Sequence, residues 1–239
     1  MMDRPKFSTY SPPGLANLVY HGEYAQGSQE WLQARCGMLT ASEVKLILTP
    51  TLKIADNDKT RAHLWELLAQ RVNQYVEPHF IGDDMLRGHE DEIYARLLYS
   101  EKYAEVTTDV AFMTNDRFGF TLGYSPDGMV GDDGLIECKS RRQKFQAQTI
   151  CEGKVPDEYM LQLQTALLVS HRKWIDFVSY SGGMPMYVQR VEPDTDIQEA
   201  IVNAAKAFED RLQEKLAVYQ NEAAKFHSTE RRIEQEMFS

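Results

Sequence analysis

Hydrophobic and polar positions along the chain follow two periods, one typical of helices and one typical of strands. Helical patterns cover 27–35, 59–76, 85–101, 143–152, 157–169 and 194–219. Another helix is predicted to begin in TASEVKLIL, where Thr40 and Glu43 have the spacing of a capping box. Strand patterns bounded by turn residues occur in VTTDVAFM, FGFTLGY, LIECK, WIDFVSYS and MYVQRVE.

The order of these elements predicts the fold class. Helices are followed by strands, helices and further strands, which indicates an α/β protein with a mixed sheet. We interpret the three strands between 106 and 139 as an antiparallel meander, and we expect the helix over 194–219 to pack on the sheet. No repeat or linker divides the chain, so we expect a loosely ordered arm over 1–20, one domain over 21–220 and a charged tail over 221–239.

Composition and charge narrow the class of protein. The chain has a formal net charge of −10 and no long apolar run, so we expect a soluble protein without a membrane partner. Its first residues, MMDRPKFSTYSPPG, lack an apolar signal core, and its three scattered cysteines argue against a disulfide framework. A cytoplasmic location fits both features. The negative charge counts against nucleic acid as a partner unless basic residues cluster locally.

The stretch GYSPDGMVGDDGLIECKS contains candidate catalytic chemistry. In a strand, Glu137 and Lys139 point to one face and Cys138 to the other. The segment GMVGDDG is interpreted as a turn that brings Asp127 towards Glu137. Two carboxylates and a backbone carbonyl suit Mg²⁺, and a lysine beside them can hold or deprotonate a water that attacks a phosphodiester. Read alone, the same D-x9-E-x-K spacing also fits a surface hairpin with solvated charges.

The letters PD…ECK resemble the PD-(D/E)XK nuclease superfamily, and five ordered motifs resemble its lambda exonuclease or YqaJ-type viral recombinase branch. The motifs are EWLQARCGMLTASEV, RGHEDEIYA, GYSPDG, LIECK and EYMLQLQ. The resemblance implies a restriction-endonuclease-like core, with a central mixed β-sheet flanked by helices. It implies that Lys139 acts on the attacking water and that Gln162 lies beside the metals. The metal ligands that it implies are Asp127, Glu137, Glu92 and the backbone carbonyl of Cys138.

The acidic residue on the helix over 85–101 has two candidates. The G-x-x-x-E motif of the family falls on Glu92. Helical phasing instead places Glu90 on the stripe with Leu86, Ile93 and Leu97. The resemblance favours Glu92, because a catalytic carboxylate can lie at the edge of a buried face.

A pocket for a 5′-phosphate is implied as well. Ser42 lies in the first turn of the helix that Thr40 opens, where free N–H groups favour an anion, and Arg35 can add a guanidinium contact. The resemblance assigns the pocket to Arg35, Ser42 and Ser125, and it assigns to Met85 the side chain that wedges apart the DNA end.

The resemblance implies a Mg²⁺-dependent 5′-to-3′ exonuclease, with Mn²⁺ as a substitute metal. Such an enzyme digests one strand of linear double-stranded DNA to mononucleotides and leaves 3′ single-stranded overhangs for recombination. Further implications are a ring-shaped homotrimer, a single-strand annealing protein as partner, and the cytoplasm of a bacterial host cell as location. The alternatives are an endonuclease of the same superfamily, which would cut circular DNA, and a non-catalytic DNA-binding module.

Overall fold

The structure is a computed structural model that describes residues 9–10, 14–77 and 82–230, without the side chains of 9, 10 and 83–85. The helices are α1 (Gln29–Ala34), α2 (Asp58–Asn73), α3 (Asp83–Lys102), α4 (Gln143–Glu152), α5 (Asp157–Ser170) and α6 (Thr195–Ala223), with a 3-10 helix over Ala41–Leu46. The strands are β1 (Thr9–Tyr10), β2 (Leu18–His21), β3 (Leu39–Thr40), β4 (Phe112–Asn115), β5 (Leu122–Tyr124), β6 (Gly128–Val130), β7 (Gly134–Ser140), β8 (Trp174–Tyr180) and β9 (Tyr187–Val191).

These strands form two mixed sheets. The first has the order β1-β2-β4-β5-β3, and the second has the order β6-β7-β8-β9. The pairs β3–β5 and β7–β8 are parallel, and the remaining pairs are antiparallel. The predicted α/β class, a mixed sheet flanked by helices, is confirmed.

The predicted meander is only half right. β4 and β5 pair antiparallel as expected, but β7, which contains LIECK, lies in the other sheet. The segment Ser125-Pro126-Asp127 separates the two sheets, and proline cannot donate a ladder hydrogen bond. The residues interpreted as a turn include β6, which pairs antiparallel with β7 and places Gly128 opposite Ile136.

The second sheet is covered by a helix on each face. Leu135 and Phe177 pack with α5 in the main core, while Ile136 and Val178 pack with Ala95 of α3. Each such aliphatic or aromatic side chain contributes about 1.5–3 kcal/mol on burial. Because side chains alternate along β7, Glu137 and Lys139 lie on the same face as Leu135, which is the face that α5 covers.

The face that α3 presents to the sheet differs from the one its sequence suggested. Leu86, Ile93 and Leu97 are 54%, 49% and 63% exposed, so this stripe is not the buried one. Ala95 and Tyr99 make the contact with the sheet, and the Tyr99 hydroxyl donates to buried Asp176 at 2.6 Å. The spacing of apolar residues could not predict this polar contact between α3 and the sheet.

The long C-terminal helix is amphipathic as predicted, but its partners are helices. Ile201, Phe208 and Leu212 are buried where α6 packs on α2 and α5, rather than on the sheet. Arg71 of α2 forms a bidentate ion pair with Glu209 of α6, which fixes the two helices together.

Two boundaries lie elsewhere than the sequence suggested. Residues 18–20, assigned to the N-terminal arm, belong to β2, and Leu18 and Tyr20 are buried in the core. At the other end α6 continues to Ala223, and residues 231–239 of the expected tail lie outside the described part.

Within the described ranges, no helix has both the length and the apolar character needed to cross a lipid bilayer.

Candidate active site

Asp127 and Glu137, the two carboxylates of GYSPDGMVGDDGLIECKS that are candidate metal ligands, come close together where β6 begins beside β7. Asp127 directly precedes β6, and its Oδ2 accepts a hydrogen bond of 2.6 Å from the backbone N–H of Cys138. The backbone N–H and C=O of one strand residue leave the same edge, so the Cys138 carbonyl projects towards Asp127 as well. A Cβ on Gly128 would lie 2.2 Å from Val106 Cγ1, so only glycine lets the chain run this close after Asp127.

Glu137 is held by three donors from three different elements. Its Oε1 accepts from Lys139 Nζ at 2.7 Å and from Gln162 Nε2 of α5 at 2.5 Å, and its Oε2 accepts from the Tyr124 hydroxyl at 3.1 Å. Glu137 is 2% exposed, so these donors replace water around its charge. Cys138 points to the opposite face, into the cluster under α3, as the strand alternation predicted.

The helical acidic residue that reaches this site is Glu92. Glu90 is exposed, whereas Glu92 is mostly buried and close enough to Glu137 and Lys139 to interact with both charges. Arg96, one helical turn further on, forms an ion pair with Glu92 and donates to the backbone oxygen of Asp127 at 3.3 Å. Arg96 therefore ties α3 to the segment that carries Asp127.

Negative charge is concentrated in this pocket. Burial, then repulsion by Glu137 and Glu92, raises the pKa of Asp127 well above its usual value. Burial also raises the pKa of Glu92, against the attraction of Arg96. Burial alone would lower the pKa of Lys139, but attraction by the negative charges of Glu137 and Asp127 outweighs the effect of burial and raises that pKa. The lysine is thus a fixed cation among carboxylates that repel one another.

This donor set fits a hard divalent cation. Among the described residues, no group of three or more His, Cys, Asp and Glu side chains is already arranged around a metal position, since protein donors engage the carboxylates. The set nevertheless has the ligand chemistry that a hard divalent cation prefers, because oxygen ligands from buried, mutually repelling carboxylates gain most from a cation between them.

A cavity of about 180 Å³ joins these residues to the predicted phosphate pocket. The residues that line it include Arg35, Ser42, Ser125, Asp127, Glu137, Lys139 and Gln162. Residues from four of the five sequence motifs therefore share one opening. Glu92 approaches from the α3 side and is not among the lining residues.

The side of the cavity where a phosphate pocket is predicted contains buried donors without partners. Within the described ranges, Arg35 Nε and Ser125 Oγ are buried and have no hydrogen-bond partner. The Arg35 guanidinium lies 4.1 Å from the centre of the Trp31 ring, which supports it from below. Buried donors without partners are rare in proteins, and an anionic ligand would satisfy them.

The helix expected beside this pocket differs in the structure. The segment Ala41–Leu46 is a six-residue 3-10 helix, not the start of an α-helix. Glu43 does cap its first turn, because its Oε2 accepts from the Thr40 N–H at 2.8 Å. So short a helix supplies little dipole, and the attraction for an anion rests on the Arg35 and serine side chains.

Three residues of the site were not predicted from the sequence. Tyr124 precedes Ser125 in the GYSPDG motif, Trp31 lies one helical turn before Arg35, and Arg96 lies one turn after Glu92. The spacing of four residues on a helix was a usable signal for the last two. Met85 lies in the first turn of α3, and its side chain is outside the described part, so the predicted wedge stays a prediction.

Comparisons with known proteins support a nuclease of the exonuclease type. The chain resembles the solved alkaline exonuclease LHK-Exo from Laribacter hongkongensis with a TM-score of 0.74 and 32% identity, covering 83% of this chain and 99% of that one. A second structure, LHK-Exo in complex with dAMP, matches with a TM-score of 0.73 at the same identity and coverage. Residues 30–173 match the YqaJ-like viral recombinase domain, and the chain belongs to this family.

A phage-related exonuclease from Haemophilus somnus 129PT has the same fold, with a TM-score of 0.50 and 15% identity over 75% of this chain and 96% of that one. No match to a curated protein was found.

Proposed function

We propose that this protein is a Mg²⁺-dependent 5′-to-3′ exonuclease of double-stranded DNA. One observation carries the proposal: a single cavity joins Asp127, Glu137 and Lys139 to the buried donors of Arg35 and Ser125. A site that binds a terminal phosphate next to cleaving carboxylates cuts at a fixed distance from a strand end. The LHK-Exo complex contains dAMP, a nucleoside monophosphate, which is the class of product that such a site releases.

Asp127, Glu137, Glu92 and the Cys138 carbonyl would hold the metal in this proposal. Bound Mg²⁺, for which Mn²⁺ can substitute, supplies a nucleophilic water at neutral pH and neutralises charge on the scissile phosphate. Tyr124 and Gln162 keep the Glu137 carboxylate in one orientation.

Lys139 directs the attacking water and offsets negative charge in the proposed reaction. Oxygen of that water bonds to the scissile phosphorus while the bond from phosphorus to the O3′ of the terminal nucleotide breaks. The proton of the water passes to solvent, and the leaving O3′ takes up a proton. The products are a 5′-mononucleotide and a strand whose new end carries a 5′-phosphate. Each cut thus regenerates the group that the Arg35 side of the cavity binds.

Digestion of matched linear and closed circular duplexes in Mg²⁺ tests the proposal. An exonuclease degrades the linear form to mononucleotides, leaves a 3′ single strand as intermediate, and spares the circle. Nicking or linearisation of the circle would favour the superfamily endonuclease instead. Binding of both forms without any cleavage would favour a DNA-binding module.

The phosphate pocket gives a sharper prediction. Duplexes with a 5′-phosphate should be degraded faster than duplexes with a 5′-hydroxyl, and Arg35→Ala should reduce that ratio about tenfold or more, the effect of losing a charge-assisted hydrogen bond. Initial rates on the two substrates measure it. Arg61→Ala is the matched control, because Arg61 is a half-exposed arginine paired with Asp56 and Asp58. Equal rates on both ends in the unmutated enzyme would contradict the pocket.

A homotrimer is the assembly that we propose. The outward face of α3 exposes about half or more of Leu86, Ile93, Tyr94 and Leu97, and a second copy of the chain could cover these apolar side chains. A closed ring also lets an acidic chain gather basic side chains around a DNA channel. We place this enzyme in the cytoplasm of a bacterial host, with a single-strand annealing protein as its partner in recombination.

Light scattering tests the assembly. The unmutated protein should have three times the chain mass, and Leu97→Glu should reduce the mass to that of a monomer, because a buried charge opposes association. Val218→Glu, at an equally exposed apolar position of α6, is the control and should keep the larger mass. A monomeric mass for the unmutated protein at micromolar concentration would contradict the trimer and leave the nuclease assignment standing.

A further inference from the structure

The Arg35 side chain is held by a neighbour that the proposed reaction does not use. Arg35 Nη2 donates to Thr40 Oγ1 at 3.1 Å, while the guanidinium rests on the Trp31 ring. Thr40 is 3% exposed and lines the same cavity as Arg35. The direction of Arg35 in the cavity therefore depends on how the Thr40 hydroxyl is oriented.

Glu43 sets that orientation. Thr40 Oγ1 lies 2.7 Å from Glu43 Oε2, and the Thr40 backbone N–H donates to the same oxygen at 2.8 Å. A carboxylate only accepts, so the single hydroxyl proton of Thr40 goes to Glu43 and the lone pairs face Arg35. On its other side the same oxygen lies 3.9 Å from Nε2 of buried His63, which limits the space into which the carboxylate could turn.

The negative charge of Glu43 also prepares Arg35 for phosphate binding. Burial lowers the pKa of Arg35, and the negative charge of Glu43 opposes that lowering. Glu43 thus favours the charged guanidinium, the form that binds phosphate. Ser42, the second residue of the proposed pocket, has its hydroxyl 3.3 Å from Thr40 Oγ1, so Thr40 also connects the two phosphate ligands.

We propose that Thr40 and Glu43 are positioning residues that set the selectivity for 5′-phosphorylated ends, by holding the Arg35 guanidinium in place for the phosphate. This inference rests on the proposed phosphate pocket. Glu43 acts through Thr40, and Thr40, which lines the cavity beside Arg35, acts through Arg35. The selectivity for the strand end is accordingly built into the capping interaction of a short helix.

The test compares initial rates on 5′-phosphate and 5′-hydroxyl duplexes. Thr40→Val removes the hydrogen bond to Arg35, and Glu43→Gln removes the negative charge that orients the Thr40 hydroxyl. Each should lower the rate ratio about fivefold to tenfold, and the loss should appear in KM for phosphorylated ends. Thr40→Ser keeps the hydroxyl and should retain the ratio. Glu66→Gln is the matched control, since this half-exposed carboxylate contacts the other ring nitrogen of His63 and should not change the ratio.

Binding gives a second measurement that does not depend on turnover. Fluorescence anisotropy with Ca²⁺ in place of Mg²⁺ should show the same loss of preference in the Kd values of Glu43→Gln. This variant keeps the size of the side chain, so it tests the inference even if Thr40→Val does not fold. An unchanged ratio in Glu43→Gln, or equal losses on both kinds of end, would overturn the positioning role and leave the pocket intact. Equal rates of the unmutated enzyme on both ends would overturn the pocket and this inference together.

Discussion

Lys139→Ala should lower the rate of DNA cleavage by about 10²- to 10⁴-fold, the usual contribution of a group that acts on a nucleophile. Lys139 Nζ lies 2.7 Å from Glu137 Oε1 and faces the cavity rather than the core. As an ammonium it has no lone pair for a metal, so its loss should leave metal affinity and DNA affinity largely intact. Single-turnover cleavage, Mn²⁺ calorimetry and anisotropy on a duplex separate the three quantities.

The control for this variant is Lys173→Ala. Lys173 is an exposed lysine that pairs with Asp133 at the hairpin end of the same sheet, and its removal should leave the cleavage rate unchanged. Near-normal turnover in Lys139→Ala would refute the role that we propose for this lysine. A loss of cleavage that merely follows a loss of DNA binding would refute it too.

Asp127→Asn should make the metal-free protein more stable at neutral pH and insensitive to Mg²⁺. The folded-state pKa of Asp127 is raised, so the folded protein holds its proton more tightly than the unfolded chain. Stability without metal should therefore fall as the pH rises from the unfolded pKa towards the folded pKa, and the ionised carboxylate carries the full penalty above that range. Asparagine removes the charge and keeps an acceptor for the Cys138 N–H.

Thermal and urea unfolding with EDTA or with Mg²⁺ measure this effect. At a Mg²⁺ concentration one hundred times Kd, the unmutated protein should gain about 2.7 kcal/mol and Asp127→Asn should gain little. Asp133→Asn, at a half-exposed carboxylate of the neighbouring turn, is the control and should gain as much as the unmutated protein. Equal stabilisation of Asp127→Asn by Mg²⁺ would contradict the assignment of Asp127 as a ligand.

The sequence predicts those parts of the site that depend on the regular geometry of one short segment or on a recognisable motif. Strand alternation in LIECK correctly places Glu137 and Lys139 on one face and Cys138 on the other, because the period of a strand is fixed. The ordered motifs add Gln162 and Arg35, which come from distant segments and which the fold brings into the same cavity.

What the sequence could not supply depends on contacts between distant segments. The glycine- and aspartate-rich GMVGDDG has the composition of a turn, yet its first residues form β6 because β7 offers a partner ladder. On α3 the apolar stripe gave the wrong face, since Tyr99 is anchored by a hydroxyl bond to Asp176 rather than by apolar spacing. Tyr124 lies in the first sheet and Glu137 in the second, so their hydrogen bond depends on how the two sheets meet, which the sequence does not show.

The polarity of digestion tests the central claim most directly. One strand of a linear duplex is labelled at its 5′-phosphate in one sample and at its 3′ end in the other, and both samples are digested in Mg²⁺. We predict that the 5′ label is released at once as a mononucleotide, while the 3′ label stays in long strands until digestion is nearly complete. Early release of the 3′ label, or release of either label in internal fragments, would contradict the account.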